Sequence, residues 1–393
     1  MKLQLMKDQN CKRLIALVLL AGIFTCFPLA AKGSKDSDIK STTDDVETVE
    51  YTDMLGRQVT LKKNIQRIVL LRTMDIYMLV PLLGEELDDK LIAVGTDFAQ
   101  GDIDGYKKFS EVYDLTKLVN LGSVYSDDGI SVESVMLLKP DIVIVDAHFK
   151  ERASVKKMIE VGLPVVFTDL EPDPFFSGQK SMKMLGAMLG VADKANEMAD
   201  YATARINATL KRVDDLLATG ITHPVIYIEQ GNMDPEEIGM TDGDIKSSWG
   251  MVWYRLGADN IGIGSDFQAM NPEKVLSANP DLIVIGGKNW NQTANIMRLG
   301  FYTDAQAASD HLGEYVTKRP GWSDLKAIKN HRLHAIYYGY YDKAYNFAGF
   351  EAMAKMLYPE AFADVDPEKD LKEFFEKYMP FSYSGVLSAD WNP

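Results

Sequence analysis

The side chains that could do chemistry in this chain are scattered single residues. Five histidines, His148, His223, His311, His331 and His334, lie without the close spacing that a bare zinc or manganese site requires, so no metal site is expected from them. The only cysteines, Cys11 and Cys26, sit near the N-terminus, which leaves the body without a disulfide, a thiol nucleophile or a thiolate ligand. There is no Gly-x-x-x-x-Gly-Lys-Ser/Thr loop and no nucleophile elbow. What remains are polar and aromatic residues just after short apolar runs: Arg72, Asp97, His148 and Asp169, with Tyr125 on a loop, then Glu229, Gln230, Lys288, Trp290 and the tyrosines Tyr338, Tyr340 and Tyr341. In open parallel sheets ligands lie beyond the carboxyl ends of the strands, so these positions are candidate ligand contacts. Arg72 and Lys288 suit an anionic chelate, because their cations donate charge-assisted hydrogen bonds to carboxylate oxygens. The aromatics offer faces for a catecholate or a flat macrocycle. His148 could ligate a metal directly, although a structural histidine satisfied by its neighbours is the plainer account.

These residues need strands to carry them. Short β-branched runs at 67–71, 91–94, 141–145 and 164–167 alternate with helical stretches, and the same alternation resumes at 224–228, 281–285 and 333–338. That grammar predicts parallel βαβ units in two halves. Between the halves, Ala195, Ala199, Ala202, Ile206, Leu210, Val213 and Leu217 recur at spacings of three and four, one apolar stripe of a long helix closed by Gly220. From Ala192 to Ala218 it would reach about 40 Å, enough to join two lobes. The fold class expected is therefore α/β, two Rossmann-like lobes with parallel sheets joined by a long α-helix.

The first residues follow a different pattern. Lys2, Lys7, Lys12 and Arg13 precede an apolar run, and Ala30 and Ala31 follow it, the layout of a secretory signal peptide. A transmembrane anchor is disfavoured because Gly22, Thr25 and Pro28 interrupt a short run. Cys26 is a candidate for lipidation, although Thr25 departs from the small residue usual before it, and cleavage near Ala31 is the competing site. The protein is expected to be exported, periplasmic or tethered to the outer face of the cytoplasmic membrane. The segment to Ala31 has four basic residues and one acidic one, so removing its +3 from the net charge of −15 leaves −18. So acidic a body is repelled by nucleic acid and anionic lipid. The expected divisions are a signal peptide over 1–31, a polar leader over 32–48, an N-terminal lobe over 49–171, a helical linker over 172–221, a C-terminal lobe over 222–358 and an extension over 359–393.

The halves share a segment. Residues 131–145, SVESVMLLKPDIVIV, match 271–285, NPEKVLSANPDLIVI, with a capping residue, an acidic residue in the first turn and Pro-Asp before a buried strand. With Asp53-Met-Leu-Gly-Arg-Gln-Val59, Gln66-Arg-Ile-Val-Leu70, Leu256-Gly-Ala-Asp-Asn260 and the stretch from Trp322 to Arg332, the order and spacing resemble the helical-backbone, or class III, substrate-binding proteins of ABC importers, which serve ferric siderophores, haem and cobalamin. The resemblance runs from Tyr51 to about Tyr358 and departs from the usual pattern at Lys63 to Gln66 and after Pro359. It implies capture of a small-molecule metal chelate, with a ferric siderophore expected and haem or cobalamin as the alternative, a monomer, no cofactor and no catalysis. It also implies delivery to an ABC permease and ATPase, with Glu133 and Glu273 pairing with permease arginines. A carboxylate in a helix's first turn equally complements the helix dipole. The rival of another class is an exported metal-dependent hydrolase using His148, Asp169 and Glu229.

Overall fold

The computed structural model describes residues 47–393, apart from 171, 172, 244, 247, 266 and 291–293. The expected signal peptide, with its candidate cleavage site and Cys26, lies outside the described residues. An antiparallel hairpin of β1 (Thr48–Thr52) and β2 (Gln58–Lys62) opens the fold. The first sheet has the order β5-β4-β3-β6-β7 and is parallel throughout, built from β3 (Ile68–Leu70), β4 (Leu91–Val94), β5 (Val119–Asn120), β6 (Ile142–Asp146) and β7 (Val165–Thr168). Its central strands are apolar at nearly every position because helices cover both faces.

The second sheet repeats the plan. It is formed by β8 (Val225–Gln230), β10 (Asp259–Asn260), β12 (Leu282–Gly287), β13 (Leu333–Tyr337) and β14 (Ser388–Asp390), in the order β10-β8-β12-β13-β14. Between them a small ribbon pairs β9 (Met240–Thr241) with β11 (Gln268–Ala269). Only β14 runs antiparallel, and it comes from the segment after Pro359. That segment is built into the lobe: the Pro367–Tyr378 helix buries Leu371, Phe374, Phe375 and Tyr378, with the Phe375 ring 5.1 Å from that of Tyr345.

The helix joining the lobes spans Ala192–Leu217, 26 residues and about 39 Å. Its buried face carries Ala195, Ala199, Ala202, Ile206, Leu210 and Val213, the stripe read from the sequence, with Leu217 only partly buried at its end. It lies against the Ser177–Met188 and Asn346–Leu357 helices. At the first of these, a Cβ on Gly186 would come within 2.1 Å of the Ala195 Cβ, so the close approach of the two backbones needs glycine there. Gly220, with φ +78°, ends the segment.

The lobes also meet directly. Asp102 of the first lobe, 1% exposed, accepts hydrogen bonds from Tyr77 at 2.7 Å and from Tyr337 of the second lobe at 2.8 Å. From the linker, Gln179 on the Ser177–Met188 helix donates to Asn346 of the second lobe at 2.8 Å. The Lys343 ammonium sits 3.9 Å from the Tyr77 ring centroid. These ties fix the lobes across part of the space the sequence leaves for a cleft. Among the described residues no helix is long and apolar enough to cross a membrane.

Candidate ligand site

Arg72 leaves β3 at its carboxyl end and is 8% exposed. Its Nη1 donates to Asp75 Oδ1 at 2.7 Å, its Nη2 donates to Asp342 Oδ2 at 3.0 Å, and Asp146 Oδ2 lies 3.9 Å away. Burial works against the cation, but Asp75, Asp342 and Asp146 outweigh it and raise its pKa well above the usual value. Asp342 follows β13, so one guanidinium links the lobes. Its carboxyl is held below its ordinary range because Lys343, Arg72 and Lys288 together overcome the effect of burial. The expectation of Arg72 as a free anion receptor therefore changes: its donors serve protein carboxylates.

Around this knot stand the aromatics. Tyr125 is 50% exposed, with its ring edge-on to Phe149 at 4.8 Å. Burial of its hydroxyl raises the phenol's pKa despite the Arg72 cation beside it. His148 is exposed in the short turn that ends β6. Its backbone N–H donates to Asp146 Oδ1 at 2.9 Å and its ring meets Phe149 edge-on at 5.1 Å. From the other lobe, Lys288 and Trp290 follow β12 and are half-buried. The Lys288 charge acts on both Asp342 and Lys343. Trp290 lies 6.0 Å from Tyr338, whose ring stacks on Trp249 at 5.4 Å and 18°. Tyr338 accepts from Gln230 Nε2 at 2.7 Å and donates to Asp242 Oδ1 at 3.2 Å. Tyr341 adds its edge to Trp249 at 6.1 Å.

Two expected contacts lie elsewhere. Glu229 is 1% exposed inside β8, bonded to Arg319 Nη2 at 2.6 Å and to the Tyr227 hydroxyl at 2.5 Å. The strand continues past the end of its apolar run, so Glu229 is interior and not at the rim. Tyr340 is 3% exposed because a tight turn directs its ring onto Tyr337 and Tyr345. The Asp97 carboxylate accepts from Thr73 N at 3.0 Å, while the Asp169 backbone N–H donates to Ser181 Oγ at 3.1 Å. Among the described residues no three His, Cys, Asp or Glu side chains gather as a metal site, and the hydrolase set is broken by the interior position of Glu229. Asp342, Asp146 and Trp249 join the site without having been singled out by the sequence. The strand-end rule reaches the first two; Trp249 sits on the Ser248–Arg255 helix, where no rule of spacing marks it.

Glu133 and Glu273 occupy equivalent exposed places. Ser131 caps the Val132–Leu137 helix by accepting from Ser134 N at 3.1 Å, and Asn271 caps the Pro272–Ala278 helix by accepting from Glu273 N at 2.8 Å. Neither glutamate forms an ion pair among the described residues.

Two α/β lobes joined by one helix, with aromatic and charged groups converging at the strand ends of both, define a two-lobed solute-binding protein. The family described as periplasmic binding protein matches residues 82–337, and the chain belongs to it: it is a periplasmic binding protein of ABC transporters, a transport component and not an enzyme. The crystal structure of the TroA-like periplasmic binding protein FepB from Veillonella parvula is similar, with a TM-score of 0.82 and 33% identity, covering 88% of this chain and 100% of that one. An uncharacterized ABC transporter substrate-binding lipoprotein, YvrC from Bacillus subtilis, is 26% identical over 360 residues, 89% of this chain and 96% of that protein. The molybdate-binding protein MolA from Haemophilus influenzae is 22% identical over 359 residues, 84% and 91% of the two chains.

Proposed function

We propose that this protein captures a ferric siderophore as a monomer and delivers it to an ABC permease and ATPase. The observation that carries the reading is the convergence of Tyr125, Trp290, Tyr338 and Tyr341 around Lys288 and the Arg72 knot. Large aromatic faces beside a half-buried cation fit an anionic complex with flat aryl or chelate-ring surfaces. A bare tetrahedral oxyanion such as the molybdate named for MolA has no use for those faces and wants converging N–H donors, which Arg72 already gives to carboxylates. Haem is the second reading. An axial tyrosinate is one way to hold haem iron: Tyr337 and Tyr340 are buried and Tyr338 is hydrogen-bonded to Gln230 and Asp242, which leaves the half-buried Tyr341 beside Trp249 as the tyrosine to test.

Glu133 and Glu273 serve as the docking pair on the permease. The N-terminal segment directs export, with lipidation at Cys26 or cleavage near Ala31 as the two ways of maturing. Native mass spectrometry of the protein purified from its own host tests the ligand: a co-purifying ferric chelate is expected. A Soret band on adding haem, lost when Tyr338 and Tyr341 become Phe, would instead establish the haem reading.

A further inference from the structure

A cavity of about 310 Å³ opens on the flank of the first lobe, beyond the carboxyl ends of β4 and β5. Ile76, Val94, Phe98, Leu115 and Leu118 form its walls, and Thr73 and Gly95 close it toward the strands. Phe98 and Ile76 are buried, whereas Ala99, Thr116 and Asn120 are exposed at its mouth. Its lining carries no charged side chain among the described residues. Enclosed apolar cavities of about half this volume take benzene, so the space is ample for a short apolar group. Its position follows the strand-end rule for ligand sites.

The cavity adjoins the polar cluster through one side chain. Asp97 accepts from Thr73 N at 3.0 Å and from Met74 N at 3.3 Å, fixing the turn that Arg72 begins. The same residue opens the Asp97–Gly101 helix, which carries Phe98 and Ala99 into the cavity wall. Its charge also acts on the Tyr125 phenol. One carboxylate thus sets the spacing between the aromatic, charged cluster and an uncharged apolar chamber.

We propose that this chamber is a second subsite that takes an apolar arm of the captured ligand, aliphatic or aryl, while the chelated head lies at the Tyr125, Lys288 and Trp290 cluster. The assignment rests on the chelate reading above and narrows it to amphiphilic complexes. Other charged pockets, such as the one between Arg205, Arg212 and Asp364, are occupied by their own ion pairs.

Two titrations test it. In the first, protein with labelled Ile and Leu methyl groups is titrated with octanoate or acetate and followed by NMR. Octanoate should shift the methyls of Ile76, Leu115 and Leu118 saturably and acetate should not, and the cavity-filling substitutions Ala99→Phe and Thr116→Trp, both at the exposed mouth, should each abolish the shifts. No response to octanoate, or a response that survives both fillings, overturns the subsite. In the second, tryptophan fluorescence measures affinity for the anionic ferric complexes of catechol and of 4-hexylcatechol. The hexyl complex should bind at least tenfold more tightly to the unaltered protein, with the difference erased in both filled variants and the catechol complex bound equally by all three. Equal affinity for the two complexes on the unaltered protein overturns the proposal. Octanoate binding without capture of either ferric complex overturns the chelate reading and supports the chamber as an apolar-ligand site.

Discussion

At the scale of single residues, Glu229 and Arg319 show how a charge can look functional in sequence and prove structural. Arg319 is 4% exposed and Glu229 1%, and their contact at 2.6 Å is reinforced when Arg319 Nε donates to Pro235 O at 2.6 Å. The guanidinium also lies 4.4 Å from the Trp322 ring centroid. Removing one partner leaves the other charge buried without compensation, which typically costs about 3–5 kcal/mol. Glu229→Ala should lower unfolding stability in urea by that order while leaving the affinity of the folded protein for its ligand unchanged. Weakened binding at unchanged stability would return Glu229 to the ligand site. Arg72 makes the complementary case. A strand-end arginine is legible in sequence, but the carboxylates that take up its donors are Asp75 nearby and Asp342 far away in the chain, with the Asp146 charge 3.9 Å off.

At the scale of elements, the repeated segment is the most informative feature. Asp141 and Asp281 hold equivalent places before β6 and β12 and perform the same task. Asp141 Oδ2 accepts from Gln66 N at 2.9 Å and Arg67 N at 3.0 Å, with Lys62 at 2.6 Å, and Asp281 Oδ2 accepts from Val225 N at 2.9 Å, with Lys326 beside it. Each carboxylate pins the start of the neighbouring strand. Burial opposes ionisation of both, but the lysine and backbone donors outweigh it, so both carboxyls titrate below their ordinary value. The stabilisation is therefore complete above the unfolded value of about 3.9 and is lost as pH falls through the lower folded value. Asp141→Asn and Asp281→Asn should each cost about 1–3 kcal/mol near neutrality and shrink the further loss on acidification, followed by circular dichroism across roughly pH 2 to 6. The repeat also places Lys139 and Asn279 in the left-handed region, at φ 46° and 44°. Asparagine adopts this conformation at lower cost than lysine, so Lys139→Asn should raise stability by roughly 0.5–1 kcal/mol, read as a shift in urea midpoint at constant slope.

Seven strands and the joining helix were legible because each is an apolar run or a 3.6-residue stripe, patterns that burial imposes directly. The two-residue strands β5 and β10 carry too few residues for a pattern. Strand β14 was hidden because Ser388, Ala389 and Asp390 pair only along the edge of β13, with alternate residues left partly exposed. Of the site, the strand-end residues Lys288, Trp290, Tyr338 and Tyr341 and the loop residue Tyr125 could be named from the sequence. Their convergence could not, since it depends on Asp342 crossing to Arg72 and on Trp249 arriving from a helix.

At the scale of the whole molecule, the two lobes are tied by Asp102 with Tyr337 and by Arg72 with Asp342, so Glu133 and Glu273 are carried on one frame. Both stand exposed on capped first turns. Two separated charges on such a frame orient an approaching partner before contact, and that steering weakens as salt shortens the Debye length to about 8 Å at 0.15 M. Each glutamate alone leaves one anchor in place, so Glu133→Ala or Glu273→Ala should reduce uptake partly, and the double substitution should abolish it. Ligand affinity measured on the isolated protein should stay at its original value in all three. The association rate with the reconstituted transporter should fall with rising salt for the unaltered protein and lose most of that dependence in the double variant. Equal loss of ligand capture and uptake would assign the two glutamates to the fold or the ligand site, and an unchanged salt dependence would assign docking to other charges on this acidic surface.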